Sequence, residues 1–586
     1  MPVSRSEMLE RGWYYYDFLL ITGDAYVDHP SFGAAVIGRV LESYGYRVAI
    51  LAQPQSIKEF SNMGNPRIAA LITSGNVDSM VANYTAAKKR RTSDEYSPAD
   101  GLRPDRASLV YAKMTRGAFG DNITIVLGGL EASLRRFAHY DYWDDAVRQS
   151  YLIDSNADIL VYGMGERTIL EVAERLKRKK VFTDVRGICY RSNEYPDGAI
   201  AVSESYEAVS TDKWAYCRAF MMQYNEQDAV TGRIVVQPHG DELVVQNPPA
   251  APLSTAELDH FAKLPYTRMT HPLYKDGIKA IEEVKFSIIH NRGCFGACSF
   301  CSITFHQGRT VSVRSHDSVL DEARTITKLP DFKGYIHDVG GPTANLRHPA
   351  CDTNSGMCKH RTCLAPEPCP KLNTDSLDYL NLLRKLREIT NIKKVFVRSG
   401  LRYDFLLLDK HDILLPELVR HHISGQLKVA PEHCALNVLK LMNKPQWSKF
   451  LEFEEKYMAL NKRFGKKQFI VPYLISSHPG CTLKDAATLA ETLHRCGRHP
   501  EQVQDFYPTP GTLSTCMYYT GLDPRDMTSV YVARSPKEKA MQRALLQWKR
   551  PDKRKQVIAA LRQAGRGDLV GYGKGCLVRP IKSRKK

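Results

Sequence analysis

The chain has 586 residues, enough for three or four domains, and its 43% hydrophobic and 25% charged residues exclude a wholly disordered chain. No apolar run approaches the roughly 18 residues of a membrane span, and residues 1–12 carry no apolar signal core, so neither a membrane protein nor a secreted one is expected. Net charge is +18, but residues 549–586 alone hold thirteen Lys and Arg against two Asp, leaving only +7 elsewhere. Such a stretch suggests an acidic partner, nucleic acid first, whereas residues 582–586 read better as a solvated terminus. Fourteen cysteines in so long a chain fit reduced thiols and metal sites in a cytoplasmic protein better than a disulfide framework.

In chain order, residues 17–22 and 46–51 are β-like runs around a helically spaced stretch at 33–46. Further short apolar runs at 68–73, 123–128 and 157–162 each end near glycine, and residues 168–177 are helical. Strands alternating with helices predict a Rossmann-like, doubly wound parallel sheet for residues 1–182. Residues 183–279 have weaker strands and several prolines, notably Pro248, Pro249 and Pro252, and are expected to form an irregular connector.

The apolar run at 284–289 leads into Cys294, Cys298 and Cys301, a C-x3-C-x2-C spacing with Gly293 and Gly296 supplying backbone freedom. Thiolates this close suit three corners of a four-iron cluster. A zinc site would show two C-x2-C pairs or paired histidines, and a redox dithiol needs only one C-x2-C. With no fourth cysteine in the run, one iron stays free for a ligand.

A strand at 335–339 ends in Gly340 and Gly341, followed by Pro342 and Thr343. Next come Cys351, Cys358, Cys363 and Cys369, with His360 among them, in a proline-rich loop. They are a possible second metal site, cluster or zinc, set against plain loop cysteines. Strands at 394–397, 425–432, 469–476 and 503–507 follow, separated by helices near 377–389, 436–442 and 483–496. The first runs into Arg398 and Ser399, the second into Glu432, and Cys516 lies after the last. Five or six strands alternating with helices predict a partial (β/α) barrel over residues 280–535, with its site at the strands' carboxyl edge. Residues 536–586 are expected to form a basic helical hairpin and tail.

The cysteine spacing resembles the signature of the radical S-adenosylmethionine (SAM) superfamily, and the order of motifs over nearly the whole chain resembles its YgiQ-like members. The resemblance implies an α/β protein, a partial (β/α) radical SAM barrel preceded by a Rossmann-like, cobalamin-binding-like domain. Cys294, Cys298 and Cys301 would hold a [4Fe–4S] cluster, with Phe300 packing beside cluster and SAM. Gly340 and Gly341 resemble a G-G-E loop that meets the SAM amino group. Pro342 replaces the glutamate, which leaves that role to backbone groups or Thr343. Arg398 suits the SAM carboxylate, while Ser399 and Glu432 suit its ribose; a surface ion pair is the plainer account of Arg398 or Glu432. The D-x-H-x-x-G signature of cobalamin binding is absent, since His29 lies in an Asp28-His29-Pro30-Ser31-Phe32-Gly33 run of the wrong spacing, and cobalamin is not favoured. The implied activity is reductive cleavage of SAM to a 5′-deoxyadenosyl radical that modifies a large substrate, RNA or protein, with an electron donor such as flavodoxin or ferredoxin. Two alternatives are a methylthiotransferase-like RNA-modifying enzyme, which would need a cluster on the second cysteine group, and a non-enzymatic nucleic-acid-binding iron–sulfur or zinc protein.

Overall fold

The computed structural model describes residues 1–351, 356–500 and 503–581. Five strands, β1 (Phe18–Thr22), β2 (Val48–Ala52), β3 (Ala69–Thr73), β4 (Thr124–Leu127) and β5 (Ile159–Val161), pair in parallel in the order β2-β1-β3-β4-β5. Each is an almost unbroken apolar run because helices cover both faces of a parallel sheet; every residue of β1 is buried.

The sheet does not stop where residue 183 was expected to begin a connector. Strands β6 (Ile188–Ser192), β7 (Ile200–Val202), β8 (Ile234–His239) and β9 (Glu242–Gln246) extend it to nine, in the order β7-β8-β9-β6-β5. The new pairings are antiparallel except β7 with β8. The prolines misled because β7 meets only residues 234–236, so Pro238 sits beyond that pairing, where its missing N–H is not needed. An irregular Pro248–Pro252 run does follow, and then a helix, Thr255–Ala262, capped by Ser254 and Glu257.

Seven short strands build the second unit: β10 (Ser287–Ile289), β11 (Tyr335–Ile336), β12 (Asp338–Gly340), β13 (Lys394–Val395), β14 (Gln426–Glu432), β15 (Phe469–Ser476) and β16 (Gln504–Asp505). β10 pairs with β12, β11 with β13, β14 with β15 and β15 with β16, all in parallel. Between β13 and β14 the Val397 N–H donates to the His422 carbonyl at 3.0 Å. The interleaved helices His316–Ile326, Leu377–Arg387 and Trp447–Arg463 bury Val319, Leu383 and Phe453 against Ile288, Val339 and Val429. This is a partial (β/α) barrel.

The last two helices, Pro536–Leu546 and Arg554–Gln563, share one core with the barrel. Their Leu545, Leu546, Val557 and Leu561 pack with Leu474, Ile475 and Leu489, and Gln542 bridges the Ser477 N–H and the Cys481 carbonyl. Lys537, Arg543, Lys555 and Arg562 are exposed on these helices, whereas Lys539 turns inward to the Tyr518 hydroxyl at 2.6 Å. Residues 582–586, the most basic run, lie outside the described residues.

Candidate active site at the barrel mouth

The cysteine loop leaves the carboxyl end of β10 and is fixed at both stems. Asn291–Arg292 pairs with Ser312–Val313, and the Asn291 amide reaches the Thr343 carbonyl at 2.9 Å. Within the loop, Gly293 has φ +77°, and a Cβ there would overlap the Thr310 carbonyl. The far side is anchored by Asn443, whose amide donates to the Ala297 carbonyl at 2.7 Å, and by the Ser299 N–H on the Met442 carbonyl at 3.0 Å. Met442-Asn443 thus holds the loop from the end of the helix Leu436–Met442.

The three thiols are electrostatic neighbours. Burial pushes the Cys301 thiol up to about 12, with Cys298 and Cys294 adding to the shift, and burial likewise raises Cys294. Cys294 and Cys298 add to the Cys301 shift and Cys298 to that of Cys294, so the sulfurs lie within electrostatic reach of one another, and a cation there would favour their thiolate forms. Among the described residues no three His, Cys, Asp or Glu side chains converge as for a single metal ion. The Cys294 sulfur is 3.3 Å from the Thr343 hydroxyl. Cys298 accepts a hydrogen bond from Arg402 Nη1 at 3.1 Å, and Arg402 is locked by Asp404 at 2.8 and 2.6 Å. Burial disfavours the Arg402 charge, but Asp404 and Cys298 overcome it and keep the guanidinium protonated. Gly296 lets Arg402 in, since a Cβ there would stand 2.8 Å from Nη1.

Glu432 ends β14 with φ +67° and is buried, its Oε2 without a hydrogen-bond partner and its Oε1 3.8 Å from Lys444 Nζ. Burial pushes this carboxyl up, opposed by Lys444 and Arg402. Ser477, just past β15, also has positive φ (+60°) and an unpartnered hydroxyl. Strained residues with unmatched polar atoms at the carboxyl edge of adjacent strands are what a ligand site leaves behind.

The other expected residues divide. Thr343 joins the thiols, and Gly340 and Gly341 press against Ser399 and Asn291, positions no Cβ would fit. Ser399 is committed to Asp338, both backbone and hydroxyl. The Phe300 ring lies edge-on to buried His478 at 6.0 Å, and His478 Nε2 is 2.6 Å from the Ser514 hydroxyl. Arg398 is not brought to the thiols: its guanidinium, 46% exposed, pairs with Glu283 at 3.3 Å. The buried cation beside the loop is Arg402, four residues on, which sequence reasoning missed; the R-x-D spacing after the turn of β13 was the available signal. Cys516 is fully buried, its sulfur 3.8 Å from that of Cys217, and carries no exposed nucleophile. His29 is buried too, bonded to the Ser31 N–H and to Arg268.

The second cysteine group lies against the base of the first loop. Burial raises the Cys363 thiol, Arg309 opposes, and Cys351 and Cys358 add to the rise, so these three are neighbours. Arg309 also reaches the Cys358 and Arg361 carbonyls, the Cys369 N–H donates to the Cys363 carbonyl at 2.9 Å, and Cys363 shares an apolar cluster with Cys294 and Phe295.

Comparison with known proteins gives the family. The radical SAM N-terminal family matches residues 1–287, and a domain of unknown function, DUF3362, matches residues 501–586. A UPF0313 protein of Clostridium perfringens (strain ATCC 13124) is 54% identical over 592 aligned residues, spanning 99% of this chain and 89% of that protein. One of Clostridium botulinum (strain 657 / Type Ba4) is 52% identical over 590, spanning 99% and 92%. The chain belongs to the UPF0313 family, the YgiQ-type radical SAM proteins. Among solved structures it is similar to the radical SAM methyltransferase TsrM of Kitasatospora setae with tryptophan and a SAM analogue bound. That match has a TM-score of 0.47 and 13% identity over 86% of this chain and 76% of that one. It is also similar to the cobalamin-dependent SAM radical enzyme OxsB with aqua-cobalamin bound, at a TM-score of 0.47 and 11% identity over 96% and 73%. No helix among the described residues is long and apolar enough to cross a membrane.

Proposed function

We propose that this UPF0313 protein is a radical SAM enzyme that modifies a large substrate, RNA or protein, at the open side of its barrel. One observation carries the reading. Cys294, Cys298 and Cys301 share a glycine-bearing loop at the carboxyl edge of a partial barrel, with the Thr343 hydroxyl on the Cys294 sulfur and the Arg402–Asp404 pair on the Cys298 sulfur.

The donor set fits a cluster. Cys294, Cys298 and Cys301 would hold a [4Fe–4S] cluster at three corners, and Arg402 would offset the thiolate charge by a charge-assisted hydrogen bond. When bound, the cluster and SAM supply reductive cleavage of SAM to a 5′-deoxyadenosyl radical, the electron coming from a flavodoxin- or ferredoxin-like donor. The chain's own groups bind and orient. Glu432 Oε2 is a free acceptor for ribose hydroxyls, and Thr343 and the bare backbone of Gly340 and Gly341 face the loop from β12. Arg398, committed to the surface, is withdrawn from the carboxylate role.

Anaerobically reconstituted protein given SAM and dithionite is expected to form 5′-deoxyadenosine, with loss of at least 95% in Cys298→Ala. No product from the wild type overturns the reading. Iron counted per chain tests the second cysteine group: about four fits one cluster, and about eight, falling to four on replacing Cys358 and Cys363, fits two.

A further inference from the structure

The N-terminal sheet faces the barrel across a cavity of about 420 Å³, a size that suits a small organic molecule. Its position follows from topology. In the order β2-β1-β3-β4-β5 the winding reverses between β1 and β3, so the loops leaving their carboxyl ends part to opposite faces and open a crevice. Ile289 and Arg292, on one stem of the cysteine loop, and His306 and Gln307, beyond its other end, form the opposite wall.

The lining is selective. Leu20, Leu71 and Val126 make the floor apolar, and Gly129 and Gly163, at φ +81° and +73°, keep the rim free of side chains. Glu166 is 3% exposed; its Oε1 is 3.4 Å from Arg292 Nη2, and its Oε2 has no partner. His306 Nδ1 is likewise unpartnered, and burial lowers this imidazole to about 4, so it stays neutral. A buried carboxylate oxygen without a donor is costly, and a ligand O–H or N–H would satisfy it. The lining cation, Arg292, is engaged with Glu166 and the Met164 sulfur, so nothing here calls for a phosphate.

From these features we infer that the cavity binds an unphosphorylated ribonucleoside unit, its hydroxyl pair donating to Glu166 and its base lying on the apolar floor. The inference rests on the radical SAM reading, for it places a substrate nucleoside beside the stem of the cysteine loop. A free nucleoside and a nucleoside within RNA present the same chemistry.

The test is equilibrium binding to the full-length reconstituted protein. The probes are the four ribonucleosides, their 2′-deoxy counterparts and a short mixed-sequence oligoribonucleotide. At least one ribonucleoside or the oligoribonucleotide is expected to bind, about tenfold or more weaker in Glu166→Gln, with the deoxy form weakened as well. Ile37→Trp, which fills the cavity from the helix Gly33–Ser43, is expected to abolish binding. Glu166-dependent binding of free nucleosides identifies a small substrate; binding of the oligoribonucleotide alone identifies RNA. No binding of any probe, or equal binding in both variants, overturns the inference. Protein that cleaves SAM yet ignores every probe leaves the radical SAM reading standing and removes only this one.

Discussion

At Cys298 the sulfur takes a hydrogen bond from a guanidinium that is itself buried and paired. Hydrogen bonds and positive charge at a cluster thiolate favour the more negative, reduced state, so Arg402 would set how easily a cluster held by Cys298 accepts an electron. Arg402→Gln is expected to shift the cluster's midpoint potential to more negative values in an EPR-monitored redox titration; an unchanged potential removes Arg402 from that role. The same substitution strands Asp404, which Arg402 holds below the usual carboxylate range against the upward push of burial. Stability should fall by about 3–5 kcal/mol in urea unfolding, whereas Arg402→Met with Asp404→Leu should recover most of it. The Arg402-Tyr403-Asp404 spacing was the available sequence signal for this pair, too short to single it out. Arg398 stands nearer the strand end and looked the better anchor, and only the packing shows which arginine turns inward.

The cysteine loop, as an element, works because its ends are tied to three places: the strand pair at Asn291–Arg292, Asn443, and the backbone of Met442. Gly293 is the hinge of that wrap. Gly293→Ala puts a Cβ against the Thr310 carbonyl at a left-handed φ, which costs about 1–3 kcal/mol locally. Iron loading after reconstitution should drop severalfold while far-UV circular dichroism stays unchanged. Loading equal to wild type contradicts this account of the loop. Legibility followed pattern strength. The β1–β5 runs and the C-x3-C-x2-C loop were readable because unbroken apolar runs and fixed thiol spacing are local signals. Strands β6–β9 were not, because short runs interrupted by Arg191, Gln237, Pro238 and Gln246 look like loop until their partners are known. Glu432 was readable as a strand-end acid, but its strained backbone and unpaired oxygen are visible only in three dimensions.

Across the whole molecule, buried neutral histidines recur where the core elements meet. Burial lowers His139 and His478 to about 3 and His306 and His433 to about 4, all from an ordinary value of 6.5. On unfolding each imidazole takes up a proton that the folded protein refuses. Below about pH 6.5 the unfolded chain therefore binds more protons, and stability falls as pH drops until the folded-state values near 3–4 are reached. Each site is worth on the order of 3 kcal/mol between pH 6.5 and 4. The urea midpoint should decline steeply over that range, and His478→Gln should remove about one proton from the slope; a slope unchanged in the variant contradicts it. The scale of the molecule also explains the open barrel: the C-terminal helices complete its core alongside β15, while the nine-stranded sheet stands across the cavity from β10. All of this serves a single centre, and the electron paramagnetic resonance spectrum of dithionite-reduced, reconstituted protein with and without SAM tests it most directly. The account predicts a four-iron signal that changes on adding SAM and is lost in Cys298→Ala; a signal indifferent to SAM, or one that survives loss of Cys298, would contradict it.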